Sequence, residues 1–358
     1  MPDSEKGHRL AVLRVIIVAE LVVALLTGAT VVFAYQHVDK KIATGEPIHH
    51  HAKRPKPALP TSEMNILLMG TDSRDCAGCG IDKEAGEGGS DTTILLHIAD
   101  GRRSAYGISI PRDTLVDRPQ CRNGDKVVPG EQDATWNVAY SVGGPECTVE
   151  QVEAVTHVFI DSYITVNFGG FKEMVDAING VEVCIPEVVD DPVAHIHFDA
   201  GTQTLDGDRA LQYVRERHST ANSDLGRMKR QQAFIASMIG KVKSAGTLTR
   251  PDRLYKFASS LADSIETSPD IASAGKLVQL ALSLRYADLQ HVTFVTAPTT
   301  DFPVGDPNWG RLQFAPAAAD LWARTKNDEP LGPFAKGAVT AKHPHGGKGS
   351  AAENGLCA

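Results

Sequence analysis

The chain has 358 residues, with 36 Lys+Arg against 44 Asp+Glu for a formal net charge of −8, and 42% hydrophobic against 22% charged residues. That composition excludes a disordered polymer, and 32 Gly and 20 Pro without a repeat exclude collagen-like architecture. The acidic balance argues against a nucleic-acid partner, which calls for a basic stripe to release counterions.

Val15 to Tyr35 reads VIIVAELVVALLTGATVVFAY, 21 residues in which Glu20 is the single charge. As a helix it spans roughly 30 Å, the hydrocarbon thickness of a bilayer. Lys6, Arg9 and Arg14 precede it. The positive-inside bias therefore puts residues 1–14 in the cytoplasm and the rest of the chain outside. A cleaved signal peptide has an apolar core of only ~7–15 residues, so residues 15–35 read as an uncleaved single-pass anchor in the cell membrane. Residues 36–62 contain HHHAKRPKPALP and read as a linker whose basic residues rest on membrane lipid headgroups. Three adjacent His, His49 to His51, read as solvated rather than as metal ligands.

The folded part starts near residue 63. NILLMG (65–70), TTILLHI (92–98) and SAYGISI (104–110) read as strands, with Asp100-Gly101 as a two-residue hairpin turn between the last two. That turn sets Asp91 roughly opposite Ile110 and brings Asp91 and Arg112 to one sheet edge. After a loop-rich stretch, Thr148 and Gln151 suggest a capping box for a helix from Thr148 to about His157. Ile160–Phe168 alternates as a strand, Phe171–Ile178 is helical with Asn179-Gly180 as its stop, and Val181–Ile185 is a strand. Leu205–Arg217 reads as a short helix passing into extended chain. Ser223 then caps a long helix ended by Gly246, with Leu225, Met228, Ile235, Met238, Ile239 and Val242 as its buried face. Ser268-Pro269 opens a helix to about Tyr286, His291–Pro298 is a strand, and Pro316 opens a last helix. Strands alternating with helices indicate an α/β sandwich over residues 63–326. Residues 327–358 lack periodicity and read as a disordered tail.

Six cysteines in an exported chain favour disulfides. Cys121 and Cys147 lie in loop-like sequence and are a candidate pair. Cys76 and Cys79, in DCAGCG, read as a loop staple ahead of redox or zinc chemistry, because no second pair stands at metal spacing. Cys184 sits in strand-like sequence and Cys357 in the tail. The connectivity stays open.

Charged residues gather where a fold alone does not need them. Asp72 follows the first strand, Asp91 precedes the second, and Arg112-Asp113 follow the third. Such strand ends are where α/β folds place ligands. Two carboxylates with waters suit octahedral Mg²⁺, which bridges phosphate oxygens. Arg215 and Arg217 lie two apart on a segment read as extended, hence on one side. Asp224, Arg227, Arg230 and Gln231 occupy the first turns of the long helix, where peptide N–H groups and the dipole favour an anion. Arg is the side chain for bidentate phosphate contacts, and this many suggest more than one phosphate.

With these residues in place, the chain resembles the LytR–CpsA–Psr family of cell-wall glycopolymer ligases. The matching pieces are NILLMGTDSR, SDTTILLHI, GISIPRDT, NVAYSVGGP, FGGFKEMVDAINGVEV, LDGDRALQYVRER and DLGRMKRQQ, in the family's order over about residues 64–245. The resemblance implies a three-layer α/β/α sandwich with a central mixed sheet and an apolar cavity for a polyprenyl chain. It implies a Mg²⁺-dependent phosphotransferase, with Mn²⁺ as a substitute ion and pyrophosphatase side activity. The substrate would be a polyprenyl-pyrophosphate-linked glycopolymer and the acceptor a peptidoglycan hydroxyl. Carried over by position, Asp72 and Asp91 would ligate the metal. Either of them, or Asp113, would take the acceptor proton. Arg74, Arg112, Arg215, Arg217, Arg227 and Arg230 would hold the pyrophosphate, Gln231 would hydrogen-bond it, and Asp224 would orient the Arg cluster. Two basic positions of the family are Gly89 and Thr135 here, for which Lys83 or Lys126 could compensate, and CAGCGIDKEAGEGG could act as a lid. A different class of function is a non-catalytic wall-associated module that binds lipid-linked polymer or peptidoglycan and regulates assembly. A transcription attenuator fits poorly, because the Arg-rich part is expected outside the cell.

Overall fold

The computed structural model describes residues 3–49, 54–56, 62–71, 89–192, 195–216, 223–244, 250–284 and 287–344. Asp72, Arg74, Lys83, Arg217, the side chain of Asp224, and Cys76, Cys79 and Cys357 lie outside the described residues, as does the CAGCGIDKEAGEGG segment.

The chain begins with α1 (Asp3–Asp39), whose stretch Arg14–Asp39 is long and apolar enough to cross a membrane. β1 (Ala43–Thr44), β2 (Met64–Thr71), β3 (Ser90–Ile98) and β4 (Ala105–Ile110) follow. Next come the short strands β5 (Leu115–Arg118), β6 (Cys121–Asn123), β7 (Lys126–Val128) and β8 (Glu131–Thr135). Then α2 (Val138–Thr156), β9 (Ser162–Asn167) and α3 (Phe168–Ala177) lead to β10 (Val181–Ile185), β11 (Val189–Asp191), β12 (Ile196–Phe198) and β13 (Gly201–Leu205). α4 (Gly207–Arg215), α5 (Ser223–Ser244), α6 (Pro251–Ser264), β14 (Ile265–Thr267) and α7 (Ala274–Ser283) come next. The last elements are β15 (Val292–Thr296), β16 (Thr299–Asp301), β17 (Leu312–Phe314), α8 (Ala317–Lys326) and β18 (Val339–Thr340).

Eight strands form the central sheet in the order β1-β14-β9-β2-β3-β4-β15-β18. β2/β9 and β4/β15 are parallel while β2/β3 and β3/β4 are antiparallel, so the sheet is mixed. The central strands read as continuous apolar runs because both faces are covered. On one face Leu67, Leu95, Ile108 and Tyr163 meet Val149 and Val152 of α2 and Leu321 and Trp322 of α8. On the other, Ile66, Ile98 and Ala105 meet Leu280 of α7, and Phe294 and Val339 meet Ala233 and Ala236 of α5. This is a three-layer α/β/α sandwich.

Several elements differ from the sequence expectation. The β3–β4 ladder pairs Thr93 with Ile110, so continuing it two residues sets Asp91 opposite Arg112 rather than Ile110. The connection is longer than two residues: Ala99 N bonds Ser104 O at 3.1 Å around a 3-10 turn, with Gly101 and Arg102 both left-handed. α2 starts at Val138, not Thr148, and kinks at Gly143-Gly144 before Pro145. Gly144 has φ 63° and ψ −154°, a conformation open only to glycine. Thr148 lies inside the helix and its hydroxyl bonds back to Gly144 O, while Gln151 bonds Trp136 O.

α5 is buried on two sides, so the expected single stripe is incomplete. Phe234 joins Val181, Val183 and Leu205 of the β10/β13 ribbon, Ala233 and Ala236 face the sheet, and Leu225 is exposed. The helix expected from Ser268 starts at Ala274, capped by Ser273, whose hydroxyl accepts from Lys276 N. Ser268 instead accepts from Tyr163 N. α6 had no counterpart in the sequence reading. The apolar part of its contact with α1 is made of small residues, Ala258 and Ala262 against Val38 and Ile42, which give a weak hydrophobic signal.

The presumed linker and tail also contribute structure. Ala43–Thr44 pairs with β14 and Val339–Thr340 with β15, one at each sheet edge. Two-residue strands held by main-chain bonds leave no periodicity to read. His97, fully buried, ties the start of the tail down through Nε2 to Asp328 Oδ1 at 2.8 Å.

The linker is also strapped to α2 by charge. His49, not simply solvated, bonds the buried Glu146. Arg54 forks onto Glu153 at 2.9 and 3.0 Å and its guanidinium stacks 4.1 Å from the Phe159 ring centroid. Glu150 lies between the two glutamates; burial, then the Glu146 and Glu153 charges, push it up to about 7. A carboxyl whose folded pKa exceeds its unfolded value stabilises the fold below the unfolded value and loses that contribution as pH rises through the folded one. Stability therefore falls between about pH 4.5 and 7 on account of Glu150. Glu150→Gln is expected to flatten that slope and raise the melting temperature at pH 7.5, checked by thermal melts across that range.

Cys121 and Cys147 form the expected disulfide, joining the β6/β7 hairpin to α2 across 26 residues. Cys184 is also disulfide-bonded. By loop-closure entropy, replacing Cys121 and Cys147 with Ala should cost about 3.5 kcal/mol. Denaturant unfolding of the double variant reads this directly.

Candidate functional site

Three strand ends meet at one edge. β2 ends at Thr71, which pairs with Asn167 at the end of β9 and with Ser90 at the start of β3. Continuing the β3–β4 ladder puts Arg112 across from Asp91, and Arg112 Nη1 stands 2.5 Å from Asp91 Oδ1. Arg112 Nε is 3.6 Å from Asp113 Oδ2, and Asp113 Oδ1 accepts from Arg311 Nη1 at 2.9 Å. The result is a row of alternating charge, Asp91–Arg112–Asp113–Arg311, partly open to solvent.

The main chain fixes this row. Asn137 N donates to Arg112 O and Trp136 N to Thr114 O, so the NVAY segment is laid along the IPRD segment. Leu312 N donates to Asp113 O, which anchors β17 beside it. Tyr140, of the same NVAY segment, is bonded to the Thr71 side chain, and burial pushes its hydroxyl up to about 12.

The arginines of α4 and α5 reach the same edge. Asn167 ends β9 and caps α3, its Oδ1 accepting from Gly170 N at 2.8 Å. The next residue, Phe168, carries Arg215, whose guanidinium lies 4.9 Å from the ring centroid. Gln232 of α5 is fully buried and donates to Ser109 Oγ and Thr296 Oγ1, both at 3.0 Å. Ser109 stands three residues before Arg112, so Gln232 ties the first turns of α5 to the end of β4. Arg227 and Arg230 on those turns are both buried. Arg230 pairs with Glu216 at 3.0 Å and also donates to the Glu216 carbonyl. Burial lowers the Arg230 pKa and the Glu216 charge opposes that shift.

Among the sequence candidates, Asp91, Arg112 and Asp113 are thus joined at the edge where β4 ends, Arg215 lies on Phe168 just past the end of β9, and Arg227 and Arg230 are buried on α5 within five residues of Gln232. Two details differ from expectation. Arg215 is the last residue of a helix, so strand alternation does not relate it to Arg217. Gln231 Nε2 donates to Val214 O at 3.1 Å and joins α5 to α4. Gly89 adjoins β3, and Thr135 ends β8. Trp136 after it is fully buried, edge-on to Phe314 with centroids 6.0 Å apart, and belongs to the core. Lys126 lies exposed on β7.

The sequence reading missed Arg311, Tyr140, Glu216 and Gln232. Arg311 is 198 residues from the Asp113 it pairs with and carries no local signal. Gln232 adjoins Gln231 in the quoted DLGRMKRQQ piece, and the helical angle between neighbours is what separates one contact from the other.

A model of the LytR_cpsA_psr family matches residues 29–325. The chain belongs to the LytR–CpsA–Psr family. It is 34% identical over 262 residues to the cell wall biosynthesis protein LcpA of Corynebacterium glutamicum, covering 66% of this chain and 50% of that protein. The chain thus spans half the length of that relative. It is 31% identical over 252 residues to a polyisoprenyl-teichoic acid–peptidoglycan teichoic acid transferase, TagU of Oceanobacillus iheyensis, covering 70% of this chain and 75% of TagU. Among solved structures, that of Bacillus subtilis TagV superposes with a TM-score of 0.57 at 27% identity, over 75% of this chain and 98% of TagV. For this LytR–CpsA–Psr chain the expected fold class is the one observed.

Among the described residues no group of three or more His, Cys, Asp or Glu could hold a metal ion. Mg²⁺ needs fewer protein ligands, one or two carboxylates beside phosphate oxygens and water. Asp91, at the edge and one residue into β3, fits such a ligand set.

Proposed function

We propose that this protein is a phosphotransferase that moves a phospho-linked glycopolymer from a polyprenyl-pyrophosphate carrier to a peptidoglycan hydroxyl on the outer face of the membrane. The observation that carries the reading is the Asp91–Arg112 pair at the strand edge, tied through Gln232 and Ser109 to the turns of α5 that bear Arg227 and Arg230. The name of TagU supports the same donor and acceptor classes. Phosphoryl transfer asks mainly for positioning and charge neutralisation, which this side-chain set provides.

In this mechanism Arg112, Arg215 and Arg227, with Arg74 and Arg217, hold the pyrophosphate oxygens in place. Asp72 and Asp91 would hold Mg²⁺, which when bound withdraws charge from those oxygens. The acceptor oxygen forms a bond to the phosphorus that carries the polymer, and the bond from that phosphorus to polyprenyl phosphate breaks. The acceptor proton passes to a carboxylate, Asp72 or Asp91. Asp113 has one oxygen toward Arg112 and the other on Arg311, an arrangement suited to orienting Arg112 rather than to taking the proton. Water in place of the sugar hydroxyl would give pyrophosphatase activity.

The test is the full chain in a membrane mimic with a short polyprenyl-pyrophosphate oligosaccharide, with and without Mg²⁺. Polyprenyl phosphate release that needs the ion and gains a glycan-linked product when peptidoglycan is added is the expected result. Donor binding without release in the same preparation would instead identify a non-catalytic binding module.

A further inference from the structure

α1 does not end where its apolar run ends. It continues as one helix to Asp39, and its last turns are built into the folded domain. Asp39 Oδ1 accepts from Ala274 N at 2.8 Å at the start of α7. Val38 and Ile42 pack on Ala262 and Ala274. Lys41 Nζ reaches Asp263 Oδ2 at 2.5 Å and Ser259 Oγ at 3.0 Å. The His37 and Tyr255 rings lie 6.4 Å apart. A Cβ on Gly275 would come 3.0 Å from the Tyr35 hydroxyl, so α7 also approaches α1 closely. The domain's height along the anchor is therefore set by several independent contacts.

The height can be read off. Phe33 and Tyr35 are exposed at the end of the apolar run, and Tyr is a residue type enriched at membrane–water interfaces. His37 comes two residues after Tyr35, about 3 Å along the helix. The headgroup layer adds ~5–8 Å beyond the hydrocarbon on each side. Tyr255, beside His37, falls inside that layer. α6 runs parallel to α1, since Tyr255 meets His37 while Ser259 and Asp263 meet Lys41. Its N-terminal turn is thus the end turned to the bilayer.

That turn has the chemistry of a membrane-surface contact. Leu254 and Tyr255 are 39% and 38% exposed. Arg250, Arg253 and Lys256 flank them in sequence, and Arg250 pairs with the one acid of the turn, Asp252, at 3.1 Å. On α7, Val278 and Leu282 are exposed at three and seven residues from Gly275, and extend the apolar face that begins under Tyr35.

We propose that the N-terminal turn of α6 docks on the anionic headgroups of the bilayer that α1 crosses, with Leu254 and Tyr255 inserted and Arg250, Arg253 and Lys256 around them. The apolar bodies leave water while the cationic ends stay among lipid phosphates. Held at α1 and at α6, the domain cannot pivot about its anchor. The proposal rests on α1 crossing the membrane and not on the transfer reaction.

The experiment places the full-length Tyr255→Trp variant in phosphatidylcholine–phosphatidylglycerol vesicles whose acyl chains are brominated near the carbonyl end. The parent chain, with Trp136, Trp309 and Trp322, gives the background. The added emission is expected to drop by more than half in brominated vesicles, and the drop to shrink at least twofold on adding Arg250→Glu and Lys256→Glu. Leu254→Trp, a second probe one residue away, should be quenched similarly. Added emission that stays unquenched from both positions overturns the proposal, whether water or a second copy covers the turn. Quenching indifferent to charge reversal overturns the headgroup contact, and a chain that fails to float with the vesicles removes the premise.

Discussion

Arg112→Ala should abolish polyprenyl phosphate release, by on the order of 10³-fold in kcat, while leaving the fold in place. Arg112 stands where the row of alternating charge meets the strand edge, 2.5 Å from Asp91 and 3.6 Å from Asp113. Its charge is needed most when the leaving phosphate gains charge, so its loss appears in kcat and not only in donor binding. The fold should tolerate the change because the Arg112, Asp91 and Asp113 side chains are 21%, 27% and 29% exposed and can rehydrate. Arg112→Lys keeps the charge but loses the fork that can face Asp91 and a phosphate together, so it should recover only part of the rate. Release assays under donor saturation, paired with a thermal melt of each variant, separate these outcomes. Turnover equal to the parent in the Ala variant would remove Arg112 from the site.

The charge row was partly legible in the sequence, and the reason is geometric. A hairpin relates the residues flanking its strands, so Asp91 and Arg112 could be assigned to one edge without knowing the turn. The turn itself could not be typed: Arg102 takes φ 55° beside Gly101, and the pairing moves by two residues. The central strands were readable because burial on both faces makes them unbroken apolar runs. α6 was not, because its partner α1 comes from another part of the chain and the apolar part of their contact is made by alanines. β1 and β18 were invisible for the same reason in stronger form, since two residues bonded through the main chain carry no side-chain pattern. Arg311 and Glu216 belong to a further category. Their roles exist only as pairs with Asp113 and Arg230, and neither partner is near enough in sequence to mark them.

The Glu216–Arg230 pair carries the largest stability prediction. Both side chains are almost wholly buried, at 1% and 3% exposure, and their charged ends are 3.0 Å apart. Glu216 is the C-cap residue just after α4, and Arg230 also donates to its carbonyl, so the pair fixes the exit of α4 against the second turn of α5. Removing one partner of a buried pair strands the other charge in a medium that solvates it poorly, at a cost of about 3–5 kcal/mol. Glu216→Ala should therefore lower the melting temperature by on the order of 10 °C for a domain of this size. Replacing both residues by apolar ones, Glu216→Leu with Arg230→Met, should return most of that stability, because neither charge is then left behind. The two readouts part at this point. If Arg230 serves only the fold, the double variant regains turnover along with stability. If its charge also acts on the bound pyrophosphate, as the family resemblance implies, the double variant melts near the parent temperature but releases polyprenyl phosphate at least tenfold more slowly. Melting curves and release assays on the single and double variants decide between a structural and a substrate-holding role for this arginine.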